Sequence, residues 1–136
     1  MTSLRHQNLS RLLSPRHIAF IGGRDAEVAI NEAKRIGFTG QIWPVNPKRE
    51  TLGGYPCFAS VADLPEAPDA TFLAVPAPAA IATTAQLAAR GAGGIVCYTA
   101  GFREAGAEGQ VLEAALIEAA RDPSYPAEIV LVISNI

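Results

Sequence analysis

The chain has 136 residues, 49% of them apolar and 18% charged, with a formal net charge of -2. That is enough for one domain with its own core, too short for two, and too apolar to stay disordered. A slightly acidic total argues against general nucleic-acid binding, which needs a basic face.

The opening "MTSLRHQNLSRLL" lacks the apolar centre of a signal peptide, and no apolar run is long enough to cross a bilayer. A soluble, cytoplasmic protein with no membrane partner is expected. Cys57 and Cys97 form neither a disulfide framework nor a metal motif. Cys97 lies in the apolar run "GGIVCYT" and reads as a buried, inert thiol. Residues 1–16 read as a helical lead-in, with a short helix around Leu9 to Leu13 that Ser14 and Pro15 end.

Five runs then follow that are apolar on consecutive positions: "HIAFIG", "QIWPV", "ATFLAV", "GIVCYT" and "EIVLVI". Strands buried on both faces read this way, and parallel sheets are buried so. Between the first two, Asp25 is expected to cap a helix reaching Ile36, with Ile30, Ala33 and Ile36 as its apolar stripe. From Pro47 to Asp69 the pattern weakens, leaving one brief edge strand at 56–59 and a helical turn near Val61. Pro78 suits the first turn of a helix that reaches Arg90 and stops at Gly91. A further helix is expected from Glu108 to Arg121, with Val111, Leu112, Ala115, Leu116 and Ala119 facing inward. Residues 123–136 hold an atypical last strand, where a longer homologue would continue. Alternating strands and helices give an α/β fold: a doubly wound, mostly parallel sheet with helices on both faces, in three layers.

Such sheets bind ligands beyond the carboxyl ends of their strands. After "HIAFIG", Gly22 and Gly23 let backbone approach a ligand, the following helix points its free N–H groups there, and Arg24 can pair with a phosphate. The full three-glycine dinucleotide pattern is absent and a tight strand-to-helix turn is the alternative, but Arg24 tips the balance toward a phosphate cradle. After "QIWPV" come Asn46, Pro47, Lys48 and Arg49, bases where a dehydrogenase would carry a ribose-binding acid. These are either a solvated turn or a seat for a phosphorylated ribose, and both NADP and coenzyme A carry one. "PAPAA" is an apolar turn stiffened by Pro76 and Pro78. "TAGFREAG" offers small polar groups, with Glu104 and Glu108 read as helix-start residues. His6 and His17 lie away from the crevice end, so neither a histidine-assisted nucleophile nor a metal site is expected, and no catalytic residue is assigned.

Together, "SPRHIAFIGG", "GFTGQIWPVNPK", "LGGYPCFASVADLPEAPDATFLAVPAPA" and "GAGGIVCYTAGFREAG" resemble the CoA-binding domain of the nucleoside-diphosphate-forming acyl-CoA synthetases, the superfamily of the succinyl-CoA synthetase alpha subunit. The similarity runs from about Leu9 to Arg121. It implies a Rossmann-like sheet and CoA as ligand, with Gly22 and Gly23 at its phosphates, Lys48 beside Asn46 at the adenosine end, and Val75, Pro76, Ala100, Gly101 and Phe102 lining it. Arg24 would replace donors lost from a first loop shorter than in many relatives. The resemblance also implies a partner domain or subunit with an ATP-grasp fold, because the phosphohistidine and nucleotide-grasping parts of such enzymes have no counterpart here. The chain would then position CoA without completing a turnover alone. Two rivals stand beside this reading: an NADP-binding redox domain, and a non-catalytic interaction module with a degenerate pocket. Homo-oligomerisation stays open.

Overall fold

A computed structural model of the chain describes residues 4–98, 106–120 and 130–134, and the side chains of 6–98 and 106–120. Its main sheet has five strands: β1 (His17–Gly22), β2 (Gln41–Val45), β5 (Ala70–Ala74), β6 (Gly94–Tyr98) and β7 (Val130–Ser134). Their order is β2-β1-β5-β6-β7, and every neighbouring pair is parallel. The chain therefore leaves β1 on one side to make β2 and returns on the other side to make β5. Right-handed crossovers in opposite directions put helices on opposite faces. Helix α2 (Arg24–Arg35) covers one face, and α3 (Ala77–Arg90) and α4 (Ala107–Ala119) the other. Helix α1 (Leu4–Leu13) lies against β5, β6 and β7, and is longer than the short helix expected around Leu9.

Side chains alternate along each strand and so divide the core in two. Ala19, Ile21, Leu73, Ile95 and Cys97 pack with Leu87 of α3 and Leu116 of α4. Phe20 and Ile42 pack with Ala26 and Ile30 of α2 and with Leu52. Cys97 is fully buried, as expected from its apolar run.

Pro44 stands inside β2, which is possible because β2 is an edge strand. Its carbonyl accepts the Phe58 N–H at 2.9 Å on the outer side, and the Asn46 N–H returns to the Phe58 carbonyl at 2.9 Å. In a parallel strand, N–H and C=O of one residue point the same way. The missing Pro44 N–H therefore faces outward, and the ladder to β1 is intact.

Several local expectations are corrected. The edge strand expected at 56–59 is a hairpin of β3 (Thr51–Leu52) and β4 (Tyr55–Pro56), followed by a single bridge from Val45 to Phe58. Gly53 and Gly54 form its two-residue turn with φ of 58° and 88°, the left-handed pair that matches strand twist. Asp25 does not cap α2; Gly23 does, with no side-chain hydrogen bond, and Asp25 is exposed in the first turn. Ile36 follows α2 and is 73% exposed, so the buried stripe is Ala26 and Ile30 with Ala33 partly covered. On α4 the inward residues are Gly109, Leu112 and Leu116; Val111, at 71% exposure, and Ala115 face solvent. Leu112 and Leu116 are inward as expected and Ala119 is partly covered; an Ala-rich helix has little contrast between faces, so the expected stripe is too wide on the side of Val111 and Ala115.

Candidate functional site

The reversal of winding lies at β1, between β2 and β5, and the carboxyl ends of these three strands open on a cavity of about 420 Å³. Its floor is made by Gly22, the last residue of β1. Gly22 has φ of 143°, and a Cβ there would stand 2.4 Å from the carbonyl oxygen of Ala74. Only glycine lets β1 end this close to β5.

Gly23 is the N-cap of α2, and the Glu27 N–H reaches back to its carbonyl at 3.0 Å. The first turn of the helix leaves the amides of Arg24, Asp25 and Ala26 without intrahelical partners. No side chain caps them. Pro76 is the N-cap of α3 and lines the same cavity, so two helix N-termini open onto it. Their dipoles favour an anion there, although Pro78 removes one donor from α3.

Asn46 ties the loops together. Its side-chain amide donates to the Gly22 carbonyl at 2.9 Å, and its Oδ1 accepts the Lys48 N–H at 2.8 Å. It thus braces the ends of β1 and β2 and sets the direction of the backbone at Lys48. Lys48 is exposed and lines the cavity, and among the described residues its ammonium has no partner. Arg49 turns the other way and donates to Glu27 of α2 at 3.3 Å. The two adjacent bases therefore do different things.

Of the residues expected at the site, Gly22, Gly23, Asn46, Lys48, Val75 and Pro76 are brought together around one cavity. Val75 follows β5 instead of ending it. Arg24 is exposed on the first turn of α2, next to Gly23, and is not among the residues that line the cavity. Ala100, Gly101, Phe102 and Glu104 lie outside the described residues. The strand-end reading missed the far wall, which is Ser60 with Val61 and, from α3, Ala79, Thr83 and Gln86. The α3 residues are spaced i, i+4, i+7, one helical face. Two polar side chains on that face of an Ala-rich helix were the available signal.

Other groups near the crevice are not built for chemistry. Burial pushes the Cys57 thiol up, against a smaller opposing pull from Arg49. A raised thiol is a poor nucleophile. Among the described residues no group of three or more His, Cys, Asp or Glu could hold a metal ion, and no helix is long and apolar enough to cross a membrane.

The family model described as "CoA binding domain" matches residues 16–134, most of the chain. The chain belongs to the CoA-binding domain family. Within this CoA-binding domain, 109 residues are 46% identical to a trans-feruloyl-CoA synthase of an unknown prokaryotic organism, covering 76% of this chain and 15% of that protein. It is 32% identical over 122 residues to the alpha subunit of ADP-forming acetate–CoA ligase II of Pyrococcus furiosus, covering 82% and 25%. Among solved structures, the apo form of the dinucleotide-forming acetyl-coenzyme A synthetase 1 of Ca. Korarchaeum cryptofilum superposes with a TM-score of 0.73 at 28% identity, covering 82% of this chain and 25% of that one. The CoA-binding domain thus spans about a quarter or less of the length of these relatives. Its fold is the Rossmann-like α/β sheet the sequence pattern called for, and its family ligand is CoA.

Proposed function

We propose that the crevice at the carboxyl ends of β1, β2 and β5 holds the nucleotide end of CoA and presents its thiol to an acyl-CoA synthetase reaction completed by other domains. The single observation that carries this is convergence. The uncapped N-terminus of α2, at Gly23, and Lys48, whose ammonium has no partner among the described residues, border one cavity beside a strand end that admits only glycine. Backbone amides suit a pyrophosphate, and a lysine after β2 suits a phosphorylated ribose. At about 420 Å³ the cavity matches part of such a ligand, the nucleoside, with the pantetheine arm running out past the apolar turn at Val75 and Pro76.

In this role the domain supplies orientation. The thiol loses its proton to solvent or to the departing phosphate, its sulfur attacks the carbonyl carbon of an acyl phosphate held elsewhere, a C–S bond forms, the C–O bond to phosphate breaks, and phosphate leaves with that electron pair. Fixing the nucleotide end turns an encounter into a local step. The phosphoryl chemistry belongs to a partner domain or subunit of ATP-grasp type, and the alpha-subunit relative is consistent with such a division of labour. Cys57 and Cys97, both thiols, suit a reducing, cytoplasmic setting.

Calorimetric titration with CoA, dephospho-CoA, NADPH and NADH tests the reading. CoA is expected to bind most tightly. Lys48→Glu is expected to weaken CoA by about tenfold, the equivalent of ~1.4 kcal/mol, and dephospho-CoA less. Preference for NADPH would replace CoA with a redox cofactor, and equal loss for both CoA forms would remove Lys48 from the ribose phosphate. Binding of no nucleotide at all would leave the interaction-module reading.

A further inference from the structure

The crevice is flanked by an acid that ought to oppose its ligand. The first turn of α2 carries Asp25 and Glu27. Such carboxylates favour the helix dipole, yet they repel a phosphate drawn to the same helix end. Glu27 stands four residues beyond Gly23, about 6 Å along the axis at a rise of 1.5 Å per residue. That is within a Debye length of about 8 Å at physiological salt.

The Glu27 carboxylate is answered. Its Oε2 accepts the Gly53 N–H at 3.1 Å and the Arg49 guanidinium at 3.3 Å. Arg49 is the residue after Lys48, so the same loop brings one cation to the cavity and a second to the acid beside it. We propose that Arg49 is a shielding residue: it neutralises Glu27, so that this acid does not oppose Lys48 and the α2 amides at the phosphates, while the exposed Asp25 is left to solvent screening. This role rests on the CoA assignment above.

The competing account is mechanical. Glu27 and Arg49, with Lys34 donating to the Gly53 carbonyl at 3.1 Å, would simply strap the β3–β4 hairpin onto α2. The two accounts differ in sign. A strap is loosened by removing either partner. A shield is lost only when the cation is removed, and removing the acid makes it unnecessary. Glu27→Gln is the discriminating variant, because it keeps an oxygen for the Gly53 N–H.

The experiment is calorimetric titration of CoA into wild type, Arg49→Gln, Arg49→Lys, Glu27→Gln and the Glu27→Gln/Arg49→Gln double variant, each at about 50 mM and about 500 mM salt. At low salt, Arg49→Gln is expected to raise Kd about three- to tenfold. Arg49→Lys and Glu27→Gln should bind at least as well as wild type to within about twofold, and the double variant should recover to that range. The deficit of Arg49→Gln should shrink at high salt. A Glu27→Gln protein as weak as Arg49→Gln, or a deficit that salt leaves unchanged, would overturn the shield and leave the strap. Wild type that binds no CoA would bring down the CoA assignment and the shield together.

Discussion

The two ends of the sheet both gather charge, and they use it in opposite ways. At the amino ends the groups answer one another. Asp69, almost wholly buried, accepts hydrogen bonds from Arg11 Nε at 2.7 Å and from the Arg16 side chain and backbone at 2.9 Å each. Its own N–H donates to His17 Nδ1 at 2.9 Å. That fixes the neutral imidazole proton on Nε2, which faces Glu66 at 3.0 Å, while the ring stacks on Trp43 at 4.4 Å. His17 is thus a packed imidazole at the end of the sheet away from the crevice. At the carboxyl ends Gly23, the N-cap of α2, and Lys48 line a cavity, and among the described residues the Lys48 ammonium has no partner. Charge answered within the fold is structural; charge left unanswered beside a cavity is what the proposed ligand would meet.

The sharpest way to test the closed end is Asp69→Ala. It would leave Arg11 without its carboxylate partner and Arg16 with only Glu66, at 3.8 Å, while the backbone N–H to His17 is kept. A loss of about 3–5 kcal/mol is expected, the range for removing one member of a buried pair, read from denaturant midpoints. CoA affinity of the folded fraction should be unchanged, because the cluster is a sheet's length from the crevice. Acid should imitate the substitution. Burial by itself would push the Asp69 carboxyl up, but hydrogen bonds from Arg16 and Arg11 outweigh it and hold it well below its ordinary value of 3.8. A depressed carboxyl contributes stability that is complete above the unfolded value and is lost as pH falls toward the folded one. The gap between wild type and Asp69→Ala should therefore be constant from about pH 5 to 7 and narrow below about pH 4. A gap that held constant into acid would mean that the ion pairs contribute little.

Gly22→Ala tests whether the open end has structural work as well. The new Cβ would stand 2.4 Å from a backbone oxygen that cannot move without breaking β5, at a φ that other residues rarely adopt. Strain of about 1–3 kcal/mol is expected, together with loss of CoA binding, since β1 and β5 must part. Unchanged thermal stability would show that the crevice floor can relax, which would weaken the case for a site built to close tolerance.

The difference between the ends also explains what could be read in advance. The five strands were legible because burial on both faces leaves consecutive apolar residues, as in "ATFLAV". Their doubly wound arrangement followed from alternation with helices, and the crevice from the rule that ligands bind past strand ends. The hairpin at 51–56 was missed although Gly53 and Gly54, set between Leu52 and Tyr55, are a two-residue turn signal. Its strands are only two residues each, too short for any alternation to show. Asp25 passed for a cap because a first-turn acid and a capping acid differ only by register. Lys48 and Arg49 were indistinguishable in one dimension; their opposite tasks depend on where α2 places Glu27. Thr83 and Gln86 joined the site for a similar reason, since only the lean of α3 brings mid-helix residues to a crevice otherwise made of loops.

Gly23→Ala gives the smallest effect on stability and the cleanest view of the open end. Gly23 has a negative φ of -109°, and a Cβ there meets no heavy atom within 4 Å. Alanine is a poorer N-cap than glycine, so about 1 kcal/mol or less of stability should be lost. Gly23 lines the cavity as the N-cap of α2, so the added methyl stands next to the proposed phosphate seat. If a phosphate approaches that backbone closely, the methyl displaces it, and CoA affinity should fall at least about fivefold, ~1 kcal/mol. Dephospho-CoA should lose as much, because it keeps the pyrophosphate and lacks only the ribose phosphate. Lys48→Glu affects the two ligands unequally, so the pair of variants would assign one phosphate group to each half of the crevice. Undiminished affinity in Gly23→Ala would move the pyrophosphate off the N-terminus of α2 and leave Lys48 as the crevice's anchor.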